Sequence, residues 1–283
     1  MKTSVNTYSF GHYVNDLGIY GVIDKTKEIG FDGIEFVEAG WMNVPDEELK
    51  KIGEYARSKG LETVALCIGA DFVNGSAGDV KAEIERVKRL VDKAALLGVK
   101  LMRHDVASQP RGRKYLLGYD SVIGRVADAV REVTVYSEKL GVGTMSENHG
   151  YFSQDALRVE KLVNTVAHPN FGALVDIGNF MCADEDPWKS VGILAPYAVH
   201  VHCKDFLHKP GTEINPGEGW FRTRAGDYLR GTVLGHGEVR AYQSIQTILR
   251  TGYDGFFSIE FEGTEDNIRG ITLGLANLRR FAQ

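Results

Sequence analysis

Cysteine is scarce in this chain: Cys67, Cys182 and Cys203 are few, odd in number and form no CxxC pair. That disfavours both a disulfide framework and a structural zinc site, and fits free thiols in a reducing cytoplasm. An excess of positive charge is lacking too. The 33 basic and 38 acidic residues leave a formal charge of -5 with no basic run, so nothing draws the chain globally to nucleic acid or anionic lipid. No apolar run approaches the roughly 20 residues that span a bilayer. The start, Met1 to Tyr8, lacks the charged-then-apolar plan of a secretory signal. The expectation is a soluble cytoplasmic protein that binds neither nucleic acid nor membrane.

What is present is a repeated alternation. Hydrophobic residues at 43% supply a sizeable core, and 283 residues is near the size of a (β/α)8 barrel. Val5, Thr7 and Ser9 alternate with Asn6, Tyr8 and Phe10 as a first strand, and a helix runs to about Ile29. Gly30-Phe31-Asp32-Gly33 stops it, and Ile34-Glu35-Phe36-Val37 follows as strand two. The pattern recurs with strands at 63–68, 100–106, 144–150, 172–176, 198–204 and 255–261. Helices are expected near 46–60, 79–97, 120–140, 154–166, after Pro187 and at 265–281. Strands alternating with helices imply parallel pairing with right-handed crossovers, for which a closed α/β barrel, the TIM barrel, is the simplest solution. An open doubly wound sheet is disfavoured because the first turn lacks a Gly-rich dinucleotide fingerprint. One domain, 1–283, is expected, with a long loop insertion at about 206–237 that forms a lid or a partner contact.

The strand ends carry the chemistry. In such a barrel they share one C-terminal mouth, and strands five to eight end in Glu147, Asp176, His202 and Glu260. Each alone has a bland reading, as a helix cap or a satisfied imidazole. Four on consecutive strands point instead to one divalent metal ion, with Mn2+ the first expectation and Mg2+, Co2+ or Zn2+ as alternatives. Such an ion also lets three carboxylates sit together ionised.

Gly33-Ile34-Glu35, Glu147-Asn148-His149, Asp176-Ile177-Gly178-Asn179, His202-Cys203-Lys204-Asp205, Gly235-His236-Gly237-Glu238-Val239 and Gly252-Tyr253-Asp254-Gly255 through Glu260 occur in this order. With these landmarks the chain resembles the xylose-isomerase-like superfamily, the sugar-phosphate isomerases and epimerases. The resemblance implies Glu147, Asp176, His202 and Glu260 as metal ligands. It also implies Glu147 and Glu260 as the catalytic pair that removes and returns a proton alpha to a carbonyl, through an enediolate. The expected substrate is a small carbohydrate.

Two departures matter. Ketose epimerases of the family usually carry a His three residues after the strand-six Asp and an Arg shortly after the strand-seven His, where this chain has Asn179 and His208. Both are taken as substrate-binding candidates. By strand alternation His149 faces the same way as Glu147, and an imidazole beside a metal site suits acid–base work. That opens a second reading, a lyase in which His149 is the base for beta-elimination from a 3-oxo-sugar. It resembles the catalytic subunits of C-glycoside deglycosidases, or dehydroshikimate dehydratases.

The same alternation pairs Lys204 with His202 and Glu262 with Glu260, so Lys204 is a candidate for holding a substrate oxygen. Arg103 on strand four is another, with His104 its rival if the register slips by one. Trp41 and Trp220 are candidates to line a sugar face, and Gly235-His236-Gly237 to present backbone N–H groups to substrate. A repair endonuclease of the related barrels would need a basic face that this chain lacks. A homo-oligomer is expected, and the 206–237 segment leaves a hetero-oligomer or a non-catalytic subunit as alternatives.

Overall fold

The computed structural model describes residues 1–109 and 118–283. Strands β1 (Lys2–Asn6), β2 (Gly33–Val37), β3 (Glu62–Ile68), β4 (Leu101–His104), β5 (Gly143–Glu147), β6 (Phe171–Asp176) and β7 (Ala198–Cys203) pair in parallel. After β7 come β8 (Asp205–Lys209), β9 (Phe221–Arg222) and β10 (Tyr228–Thr232), which form a separate antiparallel sheet in the order β8-β10-β9. The barrel then resumes with β11 (Phe256–Ile259), which pairs with both β7 and β1 and closes the ring as a (β/α)8 TIM barrel.

Helices α1 (Tyr13–Ile29), α2 (Asp46–Ser58), α3 (Val80–Leu97), α4 (Ile123–Glu138), α5 (Ala156–Val166), α6 (Pro187–Leu194), α7 (Ala241–Leu249) and α8 (Asn267–Phe281) cover the outside. Helix α3 shows how local sequence sets an element. The Asp79 carboxylate accepts from the backbone N–H groups of Lys81 and Ala82, starting the helix, and Gly98 at φ 74° ends it. Between them Ile84, Val87, Val91 and Ala94 form one buried face. Gly53 lets α2 come close to α3, since a Cβ there would lie 2.0 Å from the Leu97 carbonyl oxygen. No helix among the described residues is long and apolar enough to cross a membrane.

Inside the barrel, Ala65, Cys67, Met145, Leu174 and Phe256 form an apolar cluster. Met145 and Leu174 lie two residues before Glu147 and Asp176, so strand alternation places apolar side chains below and ligand-type side chains above.

The structure corrects three expectations. The first strand stops at Asn6, because the Asn6 side chain accepts from the Ser9 backbone N–H (3.0 Å) and hydroxyl (2.6 Å) and folds Thr7–Phe10 into a turn. The 206–237 segment is not one uninterrupted loop: about a third of it forms the β8-β10-β9 sheet, with Phe206 packed edge-on against Phe221, and loops join those strands. Helix α7 supplies the strand-seven helix, which the sequence reading did not identify.

Candidate metal centre and active site

Glu147 ends β5, Asp176 ends β6, His202 lies near the end of β7, and Glu260 directly follows β11. Their donor atoms converge. The His202 Nδ1 lies 3.7 Å from Glu147 Oε1, 3.8 Å from Asp176 Oδ2 and 3.5 Å from Glu260 Oε1. All four side chains offer an atom to one shared point. Two of these atoms, Asp176 Oδ2 and His202 Nδ1, are fully buried without a hydrogen-bond partner. A buried polar atom without a partner is costly, and two aimed at a common point among carboxylates fit a divalent cation held by three oxygens and one nitrogen.

The carboxylate oxygens other than Asp176 Oδ2, inward ones included, are held by close neighbours, which fixes the rotamers. Asp176 Oδ1 accepts from the backbone N–H groups of Gly178 (2.7 Å) and Asn179 (2.8 Å). Glu147 Oε2 is 2.7 Å from the Arg103 guanidinium, while its Oε1 accepts from the Asn179 amide at 2.9 Å. Glu260 Oε2 touches the Lys204 ammonium, and its Oε1 accepts from Asn6 at 2.7 Å. Lys204 also reaches Asp176 Oδ2 (3.4 Å) and Glu262 (3.2 Å).

These contacts set the charges. Burial, reinforced by the neighbouring Glu147 and Glu260, pushes the Asp176 carboxyl up to about 7 against the pull of Lys204. Glu147 and Glu260 resist the same burial: Arg103 and His202 hold Glu147 below the ordinary carboxylate range, and Lys204 and His202 hold Glu260 well below it.

A second group stands at the rim. The His149 Nδ1 lies 3.0 Å from Asp105 Oδ1, and Arg103 holds the same oxygen at 2.8 Å. Burial lowers the His149 imidazole, but the Asp105 hydrogen bond outweighs it and leaves His149 above its ordinary value. Strand β5 has already ended, so His149 reaches the mouth from a turn bridged to Ser153 rather than from an extended strand.

Arg103, Glu147, His149, His202, Lys204, Glu260, Glu262, Tyr8, Val37 and Cys67 line a mouth cavity of about 220 Å³. Tyr8, Val37 and Glu262 also line an adjoining cavity of about 460 Å³ that includes Trp41 and Phe261.

The structure therefore brings Arg103, Asn179 and Lys204 to the four ligand candidates. Asn179 acts there on Glu147 and Asp176 rather than on the cavity. His104, the rival of Arg103, faces outward between Phe72 and Phe171. His208 is not brought to the mouth. Because β8 turns away into the antiparallel sheet, its imidazole meets Asp227 at 2.7 Å and lines a flank cavity of about 500 Å³. The Gly235–Gly237 segment is also corrected: the N–H groups of Gly235 and Gly237, with that of Val239, are spent on the Asp205 carboxylate at 2.8 to 3.1 Å, and that of His236 on the Val233 carbonyl at 2.9 Å. Trp220 packs on Arg230 away from the mouth.

Sequence reasoning missed Asn6, Tyr8 and Asp105. For Asn6 the signal was a polar residue closing the first apolar run. For Asp105 it was a carboxylate two places beyond a strand-borne arginine.

A closed (β/α)8 barrel with an acidic, imidazole-bearing mouth defines the class of protein. Residues 23–281 match the family model described as xylose isomerase-like TIM barrel, and the chain belongs to that family. It is 27% identical over 255 residues to the rhizopine catabolism protein MocC of Rhizobium meliloti, covering 81% of this chain and 76% of that protein. Among solved structures it is similar to the probable 3-DHS dehydratase AsbF of Bacillus anthracis, with TM-score 0.72, 21% identity and coverage of 100% and 99%. It is also similar to the D-psicose 3-epimerase of Clostridium cellulolyticum H10, with TM-score 0.77, 16% identity and full coverage of both chains.

Proposed function

We propose that this protein is a divalent-metal-dependent isomerase or epimerase of a sugar or sugar-like polyol, working by removal of a proton alpha to a carbonyl. The observation that carries the reading is the convergence of Glu147, Asp176, His202 and Glu260 on one point, with Asp176 Oδ2 and His202 Nδ1 buried and without a hydrogen-bond partner. These four residues would hold the ion, with Mn2+ as first choice. When bound, it supplies Lewis-acid polarisation of a substrate carbonyl and its neighbouring hydroxyl.

The remaining work falls to side chains. Glu147 and Glu260 come from the two ends of the β5–β11 arc, with β6 and β7 between them. Arg103 and Lys204 keep both glutamates in the carboxylate form a base needs, one to take the proton and the other to return it from the opposite side. Lys204 and Arg103 also offset negative charge developing on substrate oxygens.

The Asp105–His149 pair favours a second reading. Asp105 orients His149, which lines the mouth cavity and lies outside the four ligands, as a base for beta-elimination from a 3-oxo-sugar requires. Similar proteins carry names of both kinds, an epimerase and a dehydratase.

The test is incubation of the Mn2+-loaded protein with ketoses and 3-oxo-glycosides in D2O. Deuterium incorporation alpha to the carbonyl without a lost group supports the first reading, and release of aglycone or water supports the second. Activity that survives exhaustive chelation rejects both.

A further inference from the structure

We propose that Glu35 is a positioning residue that fixes which nitrogen His202 turns to the metal. The inference rests on the metal reading of the site above. Glu35 lies on β2 and is completely buried, and nothing in the reaction described so far uses it. Its carboxylate is shared between two histidines of β7. Oε1 is 2.7 Å from His202 Nε2 and Oε2 is 2.5 Å from His200 Nε2, while the Cys67 thiol donates to Oε1 at 3.0 Å.

A carboxylate only accepts, so both imidazoles carry their hydrogen on Nε2. A neutral imidazole has one hydrogen, which leaves Nδ1 of each ring bare. For His202 the bare atom is the one facing Glu147, Asp176 and Glu260 across 3.5 to 3.8 Å. A hydrogen on Nδ1 instead would occupy the place the metal takes. The orientation of the ligand is thus decided on the far side of the ring, by a group from β2, three places round the barrel from β7.

His200 has its own part. It lies two residues before His202 and so faces the same way, with the rings 5.5 Å apart and nearly perpendicular. By holding Oε2 it prevents the Glu35 carboxylate from rotating away from His202. Three side chains therefore form a floor beneath the metal centre.

Outer carboxylate partners of metal-bound histidines are typically worth about 10- to 100-fold in metal affinity. Glu35→Gln keeps the size of the side chain, but its amide accepts from one imidazole only and presents N–H to the other. Where N–H meets His202, the ring must move its hydrogen to Nδ1.

The experiment is calorimetric titration of Mn2+ into wild type, Glu35→Gln and Glu35→Leu, together with ¹⁵N-imidazole spectra of the Zn2+-loaded wild type. The expected results are a loss of about tenfold or more for Gln, a loss at least as large for Leu, and a wild-type His202 with its hydrogen on Nε2 and Zn2+ on Nδ1. The spectra need no variant to fold. Because the amide of Glu35→Gln can still turn its oxygen to His202, the deciding variant is Leu: Mn2+ binding by Glu35→Leu within twofold of wild type overturns the proposal, and so does a wild-type spectrum with the hydrogen on Nδ1. If wild type itself binds no Mn2+, the metal reading falls and takes this inference with it. If wild type binds and Leu binds equally, only the role of Glu35 falls.

Discussion

Two acid-rich cavities of this molecule differ in what their acids can do. At the mouth, Glu147, Asp176 and Glu260 are buried or nearly so, their outer oxygens are held by Arg103, Lys204 and backbone N–H groups, and two buried atoms without a hydrogen-bond partner, Asp176 Oδ2 and His202 Nδ1, face one point. On the flank, a cavity more than twice as large is lined by Asp184, Glu185, Asp186, Asp227 and Glu238. There Asp227 is partly exposed and satisfied by His208 and the Gly211 N–H. Acidity and volume do not make a metal site. Burial with inward atoms that lack a hydrogen-bond partner is what favours one, because there a cation would replace an unmet interaction.

The strongest way to break this contrast is at a ligand. Asp176→Ala is expected to lose Mn2+ binding in calorimetry and to lower turnover by three orders of magnitude or so, since it removes metal and carbonyl polarisation together. His149→Ala, with metal affinity kept within about threefold, is expected to cost about 100-fold or more in kcat if elimination is the reaction. An unchanged rate in stopped-flow assays removes His149 from the chemistry.

Burial without a counter-charge is checked at His104. Burial lowers its imidazole to about 4. The folded value lies below the unfolded 6.5, so its contribution is fully present above pH 6.5 and is lost as pH falls towards 4. Denaturant titrations across that window should show roughly 3 kcal/mol of lost stability from this group, and His104→Gln should flatten the slope. The smallest effect belongs to the flank: His208→Gln or Asp227→Asn should change stability by less than about 1 kcal/mol, as expected of a partly exposed pair, and leave Mn2+ affinity alone. A ligand-sized loss of affinity there would erase the distinction between the two cavities.

The alternation of strands and helices was legible because βα units announce themselves locally, through apolar runs and glycine stops. Glu147, Asp176, His202 and Glu260 were legible because a barrel turns strand ends into neighbours, so one-dimensional positions carried three-dimensional meaning. What was not legible depended on where the chain leaves that rule. His208 looked close to the mouth by count from His202, but β8 departs into its own sheet. The Gly235–Gly237 backbone looked open, but Asp205, thirty or so residues earlier, consumes the N–H groups of both glycines. The partnership of Glu35 with His200 and His202 spans 165 and 167 residues and has no local signature.

The hydrogen bond from Asn6 to Glu260 joins residues 254 apart. Asn6 ends the first strand of the ring and Glu260 follows the last, so this contact exists only after the two ends of the sheet have met. Contacts of such long sequence separation carry a large loop-closure cost and form late. The finished centre is therefore a signature of completed assembly, and on the proposed metal reading a refolding chain should gain its full grip on Mn2+ in its last kinetic phase, after most helical signal has returned.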